Sequence, residues 1–319
     1  MKKISIVAPV YNEETIVEEL LSRISKSVEP LHYNFEFIIV DDGSNDNTLE
    51  LLCNLQKKDN RIKIIKLSRN WGHQNAFNAG LDHVDADAAI LMDGDLEDPP
   101  EIISRFLKKW EEGFDIVYAL KEKRHETRFK KLMFSIFYTL MERFSNVHID
   151  RQSGMFSLLD RKAVNELKKF KERYKYYVGL RAFIGFKKTM IYYSREKRYA
   201  GRPKQSFWRL INYGLDALFS FSFLPIRLLT YFGFFILGAI MLFSGFLIYA
   251  KIYRLHGSFF YDVPGWTSIV LVVFFILGIQ IIFLGVLGEY IARIFDEVRN
   301  RPYYIVDAIF ENKDKKETT

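Results

Sequence analysis

FEFIIVDDGSNDNT, residues 35–48, is apolar on both faces of an extended run, ends in the adjacent carboxylates Asp41 and Asp42, and turns through Gly43-Ser44. A strand with one wet face alternates in polarity. A strand buried on both faces does not, and such strands belong to parallel sheets covered by helices on either side. The pattern recurs through the first 120 residues: strands are expected at Ile4–Pro9, Phe35–Asp41, Ile62–Leu67, Ala88–Met92 and Asp115–Ala119. Helical patterns at Glu14–Ser27, Thr48–Lys57, His73–Asp82 and Pro100–Glu111 lie between them. Alternation of this kind gives an α/β domain with a mostly parallel sheet. Ligands bind such sheets outside the carboxyl ends of the strands, so the loops beginning at Pro9, Asp41, Leu67 and Met92 are where chemistry is expected.

Three of those loops carry polar motifs. Ala8-Pro9-Val10-Tyr11-Asn12-Glu13-Glu14 ends the first strand; its plain alternative is a helix start with Asn12 as cap. Val40-Asp41-Asp42-Gly43-Ser44 ends the second, where a carboxylate can accept hydrogen bonds from a ribose or a base N–H; a simple turn is the alternative. The fourth strand runs into Asp93-Gly94-Asp95-Leu96-Glu97-Asp98-Pro99-Pro100-Glu101, five carboxylates in nine residues. Carboxylates so crowded repel unless a cation is near, and hard oxygen ligands suit Mg²⁺ or Mn²⁺. Asp93 and Asp95 are spaced to share one site in an extended loop. A metal held there can bridge the two phosphates of a nucleotide-sugar and neutralise the leaving group. The bland alternative is an acidic turn before a helix with proline at its start.

Composition narrows the setting. The chain has 319 residues, a formal charge of +7, one cysteine and 29 phenylalanines. Lone Cys53 forms no internal disulfide, which agrees with a reducing compartment. No nucleic-acid-binding module is evident, and nucleic acid is not expected as a partner. The basic residues gather near apolar segments, which favours phosphates and lipid headgroups. Met1-Lys2-Lys3 before Ile4–Val10 is read as a first strand, not a signal peptide, since Pro9 and the acids after it break the apolar run.

Leu228–Ala250 and Thr267–Ile291 each exceed the ~20 apolar residues that span a bilayer, so two transmembrane helices are expected. Lys251, Arg254 and His256 sit in the loop between them; Arg202, Lys204, Arg209, Arg227, Arg293, Arg299 and Arg301 flank the other side. The positive-inside bias puts the N-terminal domain and the tail in the cytoplasm. Lys130–Phe144 reads equally as a core helix or an interfacial one, whereas Ser206–Leu224 reads as interfacial. The expected organisation is a cytoplasmic catalytic domain (1–200), an interfacial segment (201–227), a two-helix membrane domain (228–294) and a cytoplasmic tail (295–319), charged and disordered after Asp307. The protein would then be a multi-pass protein of the cell membrane.

Taken together, the motifs resemble the inverting, metal-dependent GT-A glycosyltransferases of family 2, and within them the polyprenyl-phosphate glycosyltransferases: dolichyl-phosphate mannose synthases and bactoprenol glucosyltransferases. Arg69-Asn70-Trp71-Gly72, Asn78-Ala79-Gly80, the acidic loop, Asp160-Arg161, Arg198, Gly201 and Lys204 carry the likeness, and the two membrane helices are most like the bactoprenol branch. By resemblance, Pro9, Tyr11, Glu13, Asp41, Asp42 and Gly94 cradle the nucleotide-sugar with Asp93 and Asp95. Asp93, Asp95 and Glu97 hold the metal, and Arg198, Arg202 and Lys204 meet the acceptor phosphate, with Arg198 and Lys204 also counted as catalytic. The resemblance also implies a lipid bilayer as partner and a homotetramer.

The likeness has departures. Glu97 stands where the loop usually has Gln, Met155 where many bactoprenol-type relatives have an Asp proposed as base, and Gly201-Arg202-Pro203-Lys204 where Gly-Glu-Ser-Lys is common. A sugar hydroxyl acceptor needs a base; a lipid phosphate with a second pKa of about 6 does not. Asp150 or Glu97 stay open as substitutes. The expected reaction is transfer of a hexose, glucose from UDP-glucose in first place, to undecaprenyl phosphate. A GDP-mannose-dependent mannose synthase and a non-catalytic nucleotide-sugar-binding membrane protein are the alternatives. A processive synthase would show Gln-x-x-Arg-Trp, and a nucleotidyltransferase a Gly-rich basic loop after strand one; neither is found.

Overall fold

In the computed structural model the residues described are 1–121, 153–172, 175, 177–194, most of 231–249, and 265–311. The elements run β1 (Lys3–Val10), α1 (Val17–Val28), β2 (Asn34–Asp41), α2 (Thr48–Gln56), β3 (Ile62–Leu67), α3 (His73–Asp82), β4 (Ala88–Leu91), a 3₁₀ turn (Pro100–Ile102) leading into α4 (Ile103–Glu111), and β5 (Ile116–Lys121). Then come β6 (Ser153–Asp160), α5 (Arg161–Lys169), α6 (Tyr177–Phe183), β7 (Lys188–Tyr193), α7 (Gly265–Val298) and β8 (Val306–Phe310).

The eight strands form one sheet in the order β7-β5-β6-β4-β1-β2-β3-β8. β1 pairs in parallel with β2 and β4, β2 with β3, and β5 with β7, whereas β6 and β8 run antiparallel to their neighbours. The chain leaves β1 toward β2 on one side and returns to β4 on the other. This makes the carboxyl end of β1 the topological switch point, where open α/β sheets bind ligands.

Amphipathic helices cover both faces. α1 buries Val17, Leu20, Leu21, Ile24 and Val28; α4 buries Ile103, Phe106, Leu107 and Trp110. They pack together on one face, and α3 crosses β1, β2 and β3. Between them β1 and β2 have no wet face: Ile4, Ile6, Val7, Ala8, Phe37, Ile38, Ile39 and Val40 are all fully buried.

The α3 contact depends on Gly80. A Cβ there would lie 2.3 Å from Val7 Cγ1 and 3.0 Å from Val40 Cγ2, both on stiff β-branched side chains. Gly80→Ala is therefore expected to overpack the layer by ~1–3 kcal/mol, offset by at most ~1 kcal/mol of helix propensity. The measurable result is a lowered melting temperature of the detergent-solubilised chain.

Two expectations are corrected here. The helix expected from Glu14 starts at Val17, because residues 12–14 are occupied in binding the β2 loop, as described below. Asp307–Phe310, read as charged tail, belongs to β8, which pairs with β3 and closes that edge of the sheet. Lys66–Asp307 (2.5 Å) and Lys63–Glu311 (3.0 Å) explain why that stretch is charged.

Of the apolar segments, Val272–Val298 within α7 is long and apolar enough to cross a membrane, with a mean hydropathy of 2.3 and none of its most apolar window buried. A shorter apolar helix occupies Tyr231–Phe243. Residues 1–217 with 302–319 form one compact unit and 218–301 a second. Lys130–Phe144, Ser206–Leu224, the loop with Lys251, Arg254 and His256, and Asp150 lie outside the described residues.

Candidate active site

The loops after β1 and β2 are stitched into one unit. The amides of Asn12, Glu13 and Glu14 donate to Ser44 Oγ (2.9 Å), Thr48 Oγ1 (2.9 Å) and Asp46 Oδ2 (3.3 Å). In return the amides of Asn45 and Asn47 donate to Asn12 Oδ1 (2.8 Å) and Glu14 Oε2 (3.1 Å). Asn12 takes φ 50 to make this turn, a left-handed conformation that asparagine tolerates. Tyr11 stands half-buried on this unit, one residue past the end of β1.

Asp41 and Asp42 share a strand end but differ in role. Asp41 is fully buried; its Oδ1 accepts from the amide of Ser44 at 3.1 Å and its Oδ2 is buried with no hydrogen-bond partner. Burial raises its pKa against the opposing hydrogen bonds from Ser44. An orphaned buried carboxylate oxygen at a switch point is a place for a ligand donor group. Asp42 accepts from the amides of Trp71 (2.7 Å) and Gly72 (3.0 Å), so its carboxylate binds the loop after β3. Burial pushes Asp42 up to about 6, partly countered by those two amides. That loop packs on Gly43, where a Cβ would meet the Arg69 carbonyl carbon at 2.4 Å.

The acidic loop lies against the other side of β1. A Cβ on Gly94 would sit 2.5 Å from the Pro9 carbonyl oxygen and 2.8 Å from Val10 Cγ1, so glycine alone lets the loop approach the strand end. Leu96 is held at φ 59, unfavourable for a bulky side chain by ~1–3 kcal/mol, and its burial in the core pins the loop there. Asp95 Oδ1 accepts from the amide of Glu97 at 3.1 Å. Asp98 points into the core, where it accepts from the Tyr193 hydroxyl and raises that phenol's pKa together with burial.

One residue that sequence reasoning passed over enters this site. His73 opens α3, and its Nε2 lies 3.0 Å from Asp93 Oδ1 while its side chain keeps 44% of its surface exposed, within reach of a ligand. Its ring meets Phe77 edge-on, with centroids 4.8 Å apart, which fixes its orientation. The desolvation its ring undergoes on its packed side would lower its pKa, but the carboxylates of Asp93, Asp95 and Asp42 outweigh this and raise it. The sequence shows only a histidine directly after Gly72, just beyond a strand end, which does not single it out.

Among the described residues no three His, Cys, Asp or Glu side chains converge on a cation, so Asp93, Asp95 and Glu97 are not gathered into a three-ligand cage. The donor set still fits Mg²⁺ or Mn²⁺. Mg²⁺ commonly takes one or two carboxylates and completes its shell with water and substrate phosphates. Pro9, Gly94 and the loops of Tyr11, Glu13, Asp41, Asp93 and Asp95 meet around one strand end. Arg198, Arg202 and Lys204 lie outside the described residues.

Two other motifs serve the scaffold. Asp160 caps α5 through the amide of Lys162 (3.0 Å) and accepts from Trp110 Nε1 (2.8 Å), while Arg161 Nε donates to the Ala86 carbonyl (2.9 Å). Asn78 is buried and accepts from Lys175 Nζ (3.0 Å) and the Tyr177 hydroxyl. Met155 is buried on β6.

Comparison with known proteins adds independent weight. The family model described as Glycosyl transferase family 2 matches residues 5–168. An uncharacterized glycosyltransferase of Synechocystis sp. is 40% identical over 309 residues, covering 97% of this chain and 96% of that protein. The SfII prophage-derived bactoprenol glucosyl transferase of Shigella flexneri is 35% identical over 305 residues, covering 95% and 97% respectively. The prophage bactoprenol glucosyl transferase homolog of Escherichia coli is 34% identical over 308 residues, covering 96% and 99%. With a switch-point site flanked by acidic strand ends, and relatives matched along nearly their whole length, the chain belongs to glycosyl transferase family 2 and is a glycosyltransferase with a GT-A-like mixed sheet.

Proposed function

We propose that the protein transfers a hexose from a nucleotide-sugar, UDP-glucose in first place, to a polyprenyl phosphate such as undecaprenyl phosphate at the cytoplasmic face of a membrane. The observation that carries this reading is the near full-length likeness to proteins named bactoprenol glucosyl transferase, which extends beyond the catalytic sheet through α7. A helix able to cross a membrane agrees with an acceptor that lives in one. In this reading Leu228–Ala250 is a second span and the 201–227 segment lies at the interface.

In the proposed reaction the orphaned Asp41 oxygen and the Tyr11–Glu13 loop receive the nucleotide. Asp93 and Asp95 hold a divalent cation, which supplies charge neutralisation for the departing diphosphate. His73 orients Asp93. The acceptor oxygen of a phosphate dianion needs no proton removed, so Met155 at the position of a missing acid is no obstacle. Arg198, Arg202 and Lys204 are the proposed contacts for that phosphate, chosen for charge.

The test is a panel of radiolabelled UDP- and GDP-sugars offered to the purified chain with undecaprenyl phosphate in detergent, with and without EDTA. UDP-glucose is expected to give the largest chloroform-soluble label, and EDTA to remove it. Label only from GDP-mannose would replace glucose by mannose; no lipid label from any donor would defeat the proposal.

A further inference from the structure

The chain beyond α7 joins the catalytic sheet, and it does so beside the loop that Asp42 braces. β8 lies antiparallel on β3, pairing Leu67 with Val306 and Lys66 with Ala308. One residue past β3, the amide of Ser68 donates to the Ile305 carbonyl at 2.9 Å. The Ser68 hydroxyl accepts from the Trp71 indole N–H at 3.2 Å, and the Trp71 amide donates to Asp42 at 2.7 Å. Arg69 stacks its guanidinium 3.9 Å from the centre of the Trp71 ring. A continuous set of contacts therefore runs from the C-terminal segment through Ser68 and Trp71 to the end of β2.

The same segment holds the far end of α3. Tyr304 donates its hydroxyl to Asp82 Oδ2 at 2.7 Å, and Asp82 is the last residue of the helix that His73 begins. Lys175, buried against Asn78 in the middle of α3, lies 5.3 Å from the Tyr303 ring. Two of the pieces that frame the strand-end site, the 68–72 loop and α3, are thus both touched by residues 303–311.

We propose that residues 303–311 form a positioning element of the donor site, fixing the 68–72 loop and α3 so that the end of β2, with Asp41, and His73 stand correctly toward the nucleotide. This rests on the reading of the β1 edge as a nucleotide-sugar site. A strand that merely covered the open edge of β3 would affect stability and leave nucleotide affinity alone. A positioning strand changes affinity out of proportion to stability.

The test uses the full-length chain. Ala308→Pro/Ile309→Pro breaks the pairing, since adjacent residues of a strand point their amides in opposite directions and one must face β3. Tyr304→Phe/Ser68→Ala keeps the strand and removes two side-chain hydrogen bonds. UDP affinity with Mg²⁺ is read by calorimetry, and amide exchange is read on a peptide covering residues 62–72. The proline pair is expected to speed exchange in that peptide. Both variants are expected to weaken UDP binding about 5-fold or more, the size of one or two lost hydrogen bonds. For Tyr304→Phe/Ser68→Ala the melting temperature should stay within a few degrees, and that variant decides the matter alone if the proline pair does not fold. UDP affinity unchanged in Tyr304→Phe/Ser68→Ala, or unchanged while exchange in 62–72 rises, overturns the proposal. An unmodified chain that binds neither UDP nor GDP would instead overturn the donor-site reading beneath it.

Discussion

Asp95→Ala is expected to lower the rate of sugar transfer by about 10²–10³-fold, the scale found when one element of preorganised charge stabilisation is removed from an active site. Asp95 sits in a loop of five carboxylates in nine residues, and that density costs stability through repulsion until a cation is bound. Losing one of those charges relieves the apo protein. The melting temperature without metal should therefore hold or rise while activity collapses, the usual sign of a residue kept for function. The part-buried hydrogen bond that its side chain accepts from the Glu97 amide, at 3.1 Å, contributes about 1 kcal/mol. Asp95→Asn separates the two: it keeps an acceptor for that amide but removes the charge, and its activity should stay close to that of Asp95→Ala.

The second large effect comes from a residue with no chemistry of its own. Gly94→Ala puts a methyl group 2.5 Å from the Pro9 carbonyl oxygen, on the backbone of the central strand, and 2.8 Å from Val10 Cγ1. Neither neighbour is the free end of a flexible side chain, so the loop must retreat by roughly 1 Å, and a misplacement of that size costs about 10² in rate. Overpacking adds ~1–3 kcal/mol of destabilisation. Steady-state kinetics should show the loss mainly in kcat, with donor KM moving less, because the Asn12–Glu13 segment is bonded to Ser44, Asn45 and Thr48, and Ser44 to Asp41, without Gly94.

The part of the fold that was legible is the alternation of strands and helices through the first 120 residues; β6, buried on both faces, was not among the expected strands. Phe35–Asp41 and Ile62–Leu67 read as strands because Phe, Ile and Val dominate them despite Glu36, Lys63 and Lys66, and the observed strands, Asn34–Asp41 and Ile62–Leu67, agree to within a residue. β7 and β8 escaped for the opposite reason. They are the two edge strands, so Lys188, Met190 and Tyr192 are exposed on β7, and β8 alternates half-buried with exposed residues. β8 owes its place to a partner far away in sequence: Lys66 and Asp307 are 241 positions apart. No local pattern reports such a pairing.

The site was legible as a set of loops and less so as a set of side-chain roles. Composition and spacing pick out the acidic loop and the Asp41-Asp42 pair, because chemistry of that kind needs those residue types at strand ends. They do not tell Asp41, with an oxygen left for a ligand, from Asp42, whose carboxylate is taken by Trp71 and Gly72. Nor do they separate Asp95 from Asp98, which faces Tyr193 in the core. His73 was hidden because an imidazole at the first turn of a helix looks ordinary until the acidic loop is folded against it.

The acceptor is the centre of the account, and one assay addresses it directly. Full-length protein in detergent with Mg²⁺ is given UDP-[¹⁴C]glucose and, in parallel, undecaprenyl phosphate, undecaprenol, or no lipid. The account predicts chloroform-soluble label with the phosphate alone, released as glucose by mild acid. Equal label on undecaprenol, or UDP-[¹⁴C]glucose consumed with no label on undecaprenyl phosphate, would contradict it.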